Sequence, residues 1–139
     1  MSPPSFFDTN VLVYAADADE PDKQAAAIAL FRSCVDTGAI LLSTQVLQEF
    51  YVTVTRKLAR PLAPASALEA VMRLAMLPLV TVTADMISAA AQLAERSHLS
   101  FWDALIVRAA AVGGAEVLYT EDLSHGSMVD GVRIVNPFV

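Results

Sequence analysis

The sequence predicts an α/β sandwich, a mainly parallel central sheet with helices on both faces. Two observations carry that prediction. Short apolar runs alternate with segments of helical period along the chain, an order that implies right-handed crossovers between parallel strands. The composition, 55% hydrophobic against 17% charged over 139 residues, fits one folded domain spanning 1–139 and excludes general disorder.

The elements follow in order. Ser5–Phe7 opens a short apolar run, and Asn10–Ala16 continues it after Asp8. Asp22–Val35 is Ala-rich, with Ala26, Leu30, Phe31, Cys34 and Val35 on helical spacing, and Gly38 stops it. Ala39–Leu42 is a short buried-strand candidate. Gln45–Leu58 reads as a helix with Val46, Leu47, Phe50, Tyr51, Val54 and Leu58 inward. Pro61 and Pro64 punctuate the chain before a helix over Ser66–Leu77. Leu79–Thr83 alternates valines with threonines and reads as a strand. Asp85–Arg96 is a helix with Ile87, Ala90, Ala91 and Leu93 inward or at its edge. Ser100 caps a further helix to about Val112, ended by Gly113 and Gly114. Glu116–Tyr119 and Val132–Val135 complete the strands.

Several function classes drop out. The longest stretch without a charge, Thr37–Gln48, is far shorter than the ~20 apolar residues of a membrane span. The start, MSPPSFFDTN, does not read as a secretory signal. Cys34 is the only cysteine, which excludes an intrachain disulfide framework and fits a reducing cytoplasm. The net charge of −6 argues against coating nucleic acid by bulk charge.

The acids are placed more informatively than they are counted. Ligands of such sheets bind beyond the carboxyl ends of the strands. Asp8 follows the first strand, and Glu121 and Asp122 follow a later one. Glu49 and Asp103 sit in helices that abut apolar runs. Carboxylates drawn to one crevice repel each other, and a hard divalent cation such as Mg²⁺ or Mn²⁺ resolves that repulsion. Each acid also has an ordinary reading. Asp103 can close a capping box with Ser100, Asp8 can make an Asx turn, Glu49 can face solvent, and Glu121–Asp122 can be a polar loop.

Four segments carry a family resemblance: FFDTNVLVY (6–14), TQVLQEFY around Glu49, FWDALIV (101–107) and LYTEDLSHG (118–126). Together they resemble a PIN-domain ribonuclease, and most closely the VapC toxins of VapBC toxin–antitoxin pairs. The resemblance implies a PIN-like three-layer α/β/α sandwich. It also implies an Mg²⁺- or Mn²⁺-dependent endoribonuclease that uses one or two ions, dimerises, and is silenced by a small VapB-type antitoxin. Carried over, Asp8, Glu49 and Asp103 hold the principal ion. Asp122, in the T-x-D element that begins at Thr120, supports that ion or a second one. Thr9, Asn10 and Thr120 are supporting residues, and Glu121 is an extra acid outside the core match. A PIN-type module that binds RNA or protein without cutting is the alternative. An aspartyl-phosphate phosphatase is a further rival, but it usually wants an acid where this chain has Asn10.

The remaining candidates concern recognition. Arg56, Lys57 and Arg60 form the densest basic cluster, either balancing a helix C-terminus or meeting RNA phosphates. Trp102 can pack or can stack on an unpaired base. His98 and His125 lack a metal-ligand spacing, and His125 reads as a loop residue. Apolar positions in Asp22–Val35 and Gln45–Leu58 exceed what one core needs and could serve a dimer or an antitoxin helix.

Overall fold

β1 (Ser5–Phe7) runs through the middle of the molecule, as a computed structural model describing residues 2–139 places it. Its neighbours are β2 (Ile40–Ser43) on one side and β4 (Val117–Tyr119) on the other, both parallel to it. β3 (Leu79–Val80) extends the sheet beyond β2, and β6 (Val132–Val135) extends it beyond β4, again in parallel. β5 (Met128–Val129) closes the far edge as the antiparallel partner of β6. The order is therefore β3-β2-β1-β4-β6-β5. Helices α1 (Thr9–Ala15), α2 (Pro21–Asp36), α3 (Thr44–Arg56), α4 (Pro64–Leu74), α5 (Ala84–Ser97) and α6 (Phe101–Val112) connect these strands. The result is the three-layer sandwich that the alternation of elements predicts.

The strands are short and their side chains largely buried. Phe6, Phe7, Leu42, Leu118 and Ile134 are fully enclosed. Such strands read as continuous apolar runs because both sheet faces are covered. Local chemistry sets most helix starts. The Ser43, Thr83 and Ser100 side chains each accept a hydrogen bond from an amide three residues on. Pro21 and Pro64 open α2 and α4, positions where a missing N–H costs nothing.

Four details depart from the sequence reading. The apolar run after Asp8 is helix α1, because Asp8 caps it; seven apolar-rich residues alone do not separate helix from strand. The strand expected over Leu79–Thr83 stops at Val80, since Thr83 serves as the α5 cap. Inward faces differ by one position: Ala27 is buried rather than Ala26, and Met86 rather than Ile87, while Tyr51 and Ala91 face outward. β5 went unread. Its signal was Asp130-Gly131, which turns the hairpin with positive φ at both residues.

The exposed apolar surface matches the expected segments only in α3, where Tyr51 and Val52 are exposed. Leu68 and Met72 of α4 and the following Met76 are 53%, 62% and 86% exposed, whereas no large apolar side chain of α2 is. No helix among the described residues is long and apolar enough to cross a membrane.

Candidate active site

The chain leaves β1 toward β2 on one side and returns later to place β4 on the other. The carboxyl ends of β1 and β4 therefore flank a switch point, where an open parallel sheet leaves a crevice. Asp8 is the first residue after β1. Its amide donates to the Tyr119 carbonyl of β4 at 3.0 Å, so the backbone itself joins the two strand ends.

Asp8 is buried yet fully engaged. Its Oδ1 accepts from the Thr9 amide at 2.7 Å, and its Oδ2 accepts from the buried Thr120 hydroxyl at 2.8 Å and from Asn10 Nδ2 at 3.4 Å. No basic side chain forms an ion pair with it among the described residues. Burial pushes its carboxyl up to about 7, the charges of Asp122 and Glu49 add to that rise, and the Thr120 and Thr9 hydrogen bonds oppose it.

Asp103 lies in the first turn of α6, where Ser100 Oγ accepts its amide hydrogen at 3.1 Å. That is the first half of the capping box expected from the sequence. Burial, with smaller contributions from Asp122 and Glu49, also raises the Asp103 carboxyl above its ordinary range. Asp122 stands on the exposed loop after β4, where its amide donates to Thr120 Oγ1 at 3.1 Å. Asn10 Nδ2 donates to Asp122 Oδ2 at 3.0 Å.

Asp8, Asp103 and Asp122 each offer an oxygen atom, and these atoms lie within 4.8 Å of one another. Glu49 lines the same cleft but is not part of that close trio. Its oxygens are occupied by the Thr9 hydroxyl at 2.8 Å and by Gln45 Nε2 at 3.4 Å. The family resemblance groups Glu49, not Asp122, with Asp8 and Asp103, whereas the close trio is completed by Asp122. Gln45 was overlooked. Its Nε2 also donates to the Trp102 carbonyl at 3.2 Å, so it braces the Glu49 helix against the segment that carries Asp103.

The other candidates divide. Thr9, Asn10 and Thr120 are all within the hydrogen-bond network of the acids. The Glu121 carboxylate is not: it accepts from Tyr14 and pairs with Lys23. Trp102 is 62% exposed in the cleft wall, edge-to-face with Phe101 at a 5.1 Å centroid separation, so core packing is not its main role. Lys57 lines the cleft, whereas Arg60 is paired with Asp19 at 2.8 Å. Arg56 ends α3 and is exposed. His125 Nδ1 accepts from the Asn136 amide at 2.9 Å, an ordinary loop contact, and Cys34 is buried.

The donor set suits a hard divalent cation. It consists of carboxylate oxygens alone, one of them buried, disfavoured in its charged form and without an ion-pair partner among the described residues. Fold and cleft together define an α/β protein with an acidic, cation-competent centre at its switch point. The PIN domain family model matches residues 5–127, and the chain belongs to that family. Solved structures of similar fold include VapC20 of Mycobacterium tuberculosis, described as a sarcin–ricin loop cleaving toxin. It has a TM-score of 0.67 at 23% identity, covering 82% of this chain and 86% of that one. A toxin–antitoxin complex from Klebsiella pneumoniae gives 0.69 at 19% identity, covering 96% and 97%. VapBC from Salmonella typhimurium bound to DNA gives 0.67 at 19% identity, covering 96% and 97%. Comparison with curated proteins finds no match.

Proposed function

We propose that this chain is a metal-dependent endoribonuclease of the VapC type, the toxin of a toxin–antitoxin pair. The observation that carries the reading is the convergence of Asp8, Asp103 and Asp122 at the switch point of a PIN-family sheet. The fold likeness to a toxin–antitoxin complex and to VapBC supports a protein partner of the antitoxin kind.

Asp8, Asp103 and Asp122 would hold Mg²⁺ or Mn²⁺, and Glu49 borders the same site. The bound ion supplies charge neutralisation at the scissile phosphate and acidifies water for in-line attack. The chain's own residues prepare that site. Thr120 and Thr9 fix the orientation of the Asp8 carboxylate, Asn10 links Asp8 to Asp122, and the Ser100 cap sets the α6 turn that presents Asp103. Thr9 also holds Glu49, so one residue ties α1 to α3 across the cleft. No side chain acts as a covalent nucleophile in this scheme. The exposed Trp102 indole offers a stacking face for an unpaired base, and Lys57 offers a phosphate contact.

The test is cleavage of single-stranded RNA by purified protein in Mn²⁺. Asp8→Asn and excess chelator are each expected to reduce cutting to background while the far-ultraviolet dichroism stays native. RNA binding without cleavage at every metal concentration would instead favour a non-catalytic PIN module.

A further inference from the structure

We infer that Glu121 is a positioning residue, which with Tyr14 and Lys23 fixes Asp122 within the acid trio. The inference rests on the proposed metal cleft and deepens it. Asp122 is exposed on a loop, yet its carboxylate is held beside two others of like charge. Loop side chains are mobile and like charges repel, so that placement needs restraint.

Asn10 provides one restraint, and it is oversubscribed. Its side-chain amide has two N–H groups but faces three acceptors: Asp122 Oδ2 at 3.0 Å, Thr120 Oγ1 at 3.2 Å and Asp8 Oδ2 at 3.4 Å. Its Oδ1 accepts from the Glu121 amide at 3.3 Å.

The second restraint is the Glu121 side chain. Its Oε1 accepts from the Tyr14 hydroxyl at 2.6 Å and its Oε2 accepts from Lys23 Nζ at 3.1 Å. Lys23 also donates to the Tyr14 hydroxyl oxygen at 3.2 Å, which closes a ring of charge-assisted hydrogen bonds. The ammonium lies 4.5 Å from the Tyr14 ring centre, and Phe138 packs edge-to-face on that ring at 5.0 Å. An isolated exposed ion pair would hold little; this ring has aromatic walls and three defined hydrogen bonds.

Its footing explains what it is for. Asn10 and Tyr14 are one helical turn apart on α1, so they share a face. They grip consecutive residues, Asp122 and Glu121. α1 is also the helix that Asp8 caps. The grip therefore places Asp122 in the same rigid frame as Asp8.

The experiment is Mn²⁺ titration in the absence of RNA, on the full chain, for Tyr14→Phe, Lys23→Met and Lys23→Arg. Each is made alone and in an Asp122→Asn background, with melting followed in parallel. Tyr14→Phe and Lys23→Met are expected to weaken Mn²⁺ binding by about tenfold with native-like melting. Lys23→Arg should recover part of that loss, and none of the three should weaken binding further once Asp122 is Asn. Unchanged Mn²⁺ affinity in Tyr14→Phe and Lys23→Met overturns the inference, as does a loss that persists undiminished in the Asp122→Asn background. Wild-type protein that binds no Mn²⁺ overturns the metal-cleft reading itself, a distinct result.

Discussion

Asp8 meets two opposing demands, because the groups that orient it also enclose it. Three hydrogen bonds hold its carboxylate, and burial disfavours its charge enough to raise the carboxyl from 3.8 to about 7. A folded-state value above the ordinary one means the strain is absent below about pH 4, grows through the interval, and is complete above about 7. Asp8→Asn should therefore stabilise the metal-free protein at pH 8 by on the order of 2–4 kcal/mol. Thermal melts in chelator check this: the variant melts higher at pH 8, and the gap closes toward pH 4. A variant melting below wild type at pH 8 would mean the hydrogen bonds outweigh the charge. Asp8, Asp103 and Asp122 were legible because strand ends and a helix start locate them without knowledge of side-chain contacts. Gln45 and Tyr14 were not, since their roles depend on partners 57 and 107 residues away. Position after β4 does not by itself separate Glu121 from Asp122, for the same reason; the T-x-D resemblance favours Asp122, and contacts with α1 and α2 distinguish the two carboxylates.

At the scale of elements, the Ser100 cap makes the start of α6 readable, whereas the Asp8 and Thr83 caps and the opening of α4 at Pro64 escape the sequence pattern, and inward faces slip by one position. Periodicity describes a stripe, and in Ala-rich helices such as α2 neighbouring small residues can occupy its edge equally well. Gly113 shows a second kind of illegibility. The sequence presents it as a helix stop, and Gly114, with φ of 79°, meets that description. Gly113 has ordinary φ but no room: a Cβ there would lie 2.2 Å from Leu41 Cδ2 and 2.9 Å from Val80 Cγ2. Its lack of a side chain lets the end of α6 settle on β2 and β3. Gly113→Ala should destabilise the fold by about 1–3 kcal/mol through overpacking. Urea denaturation measures that loss, which Leu41→Ala in the same chain should partly relieve.

For the whole molecule, the net charge of −6 has a location as well as a size. Asp8, Glu49, Asp103 and Asp122 all line one cleft, so much of the acidic excess is concentrated at the switch point. A ligand that binds only the folded state stabilises it by mass action, about 2.7 kcal/mol at a hundred times its dissociation constant. Mn²⁺ should accordingly raise the melting temperature of the wild-type chain progressively with concentration, and leave Asp8→Asn nearly unmoved. Calorimetric scans at fixed pH provide the measurement, and equal shifts for both proteins would place the ion elsewhere. The sheet order has a temporal side as well. β1 precedes the other strands, but its partner β4 comes only after six helices, and the Thr120 amide then bonds to Val135 of β6. Asp8 and the Thr120 hydroxyl that orients it are 112 residues apart in the chain. A polypeptide emerging N-terminus first thus carries Asp8, Glu49 and Asp103 before Thr120 and Asp122 exist, so the acid trio cannot assemble until β4 and the residues just after it have been made.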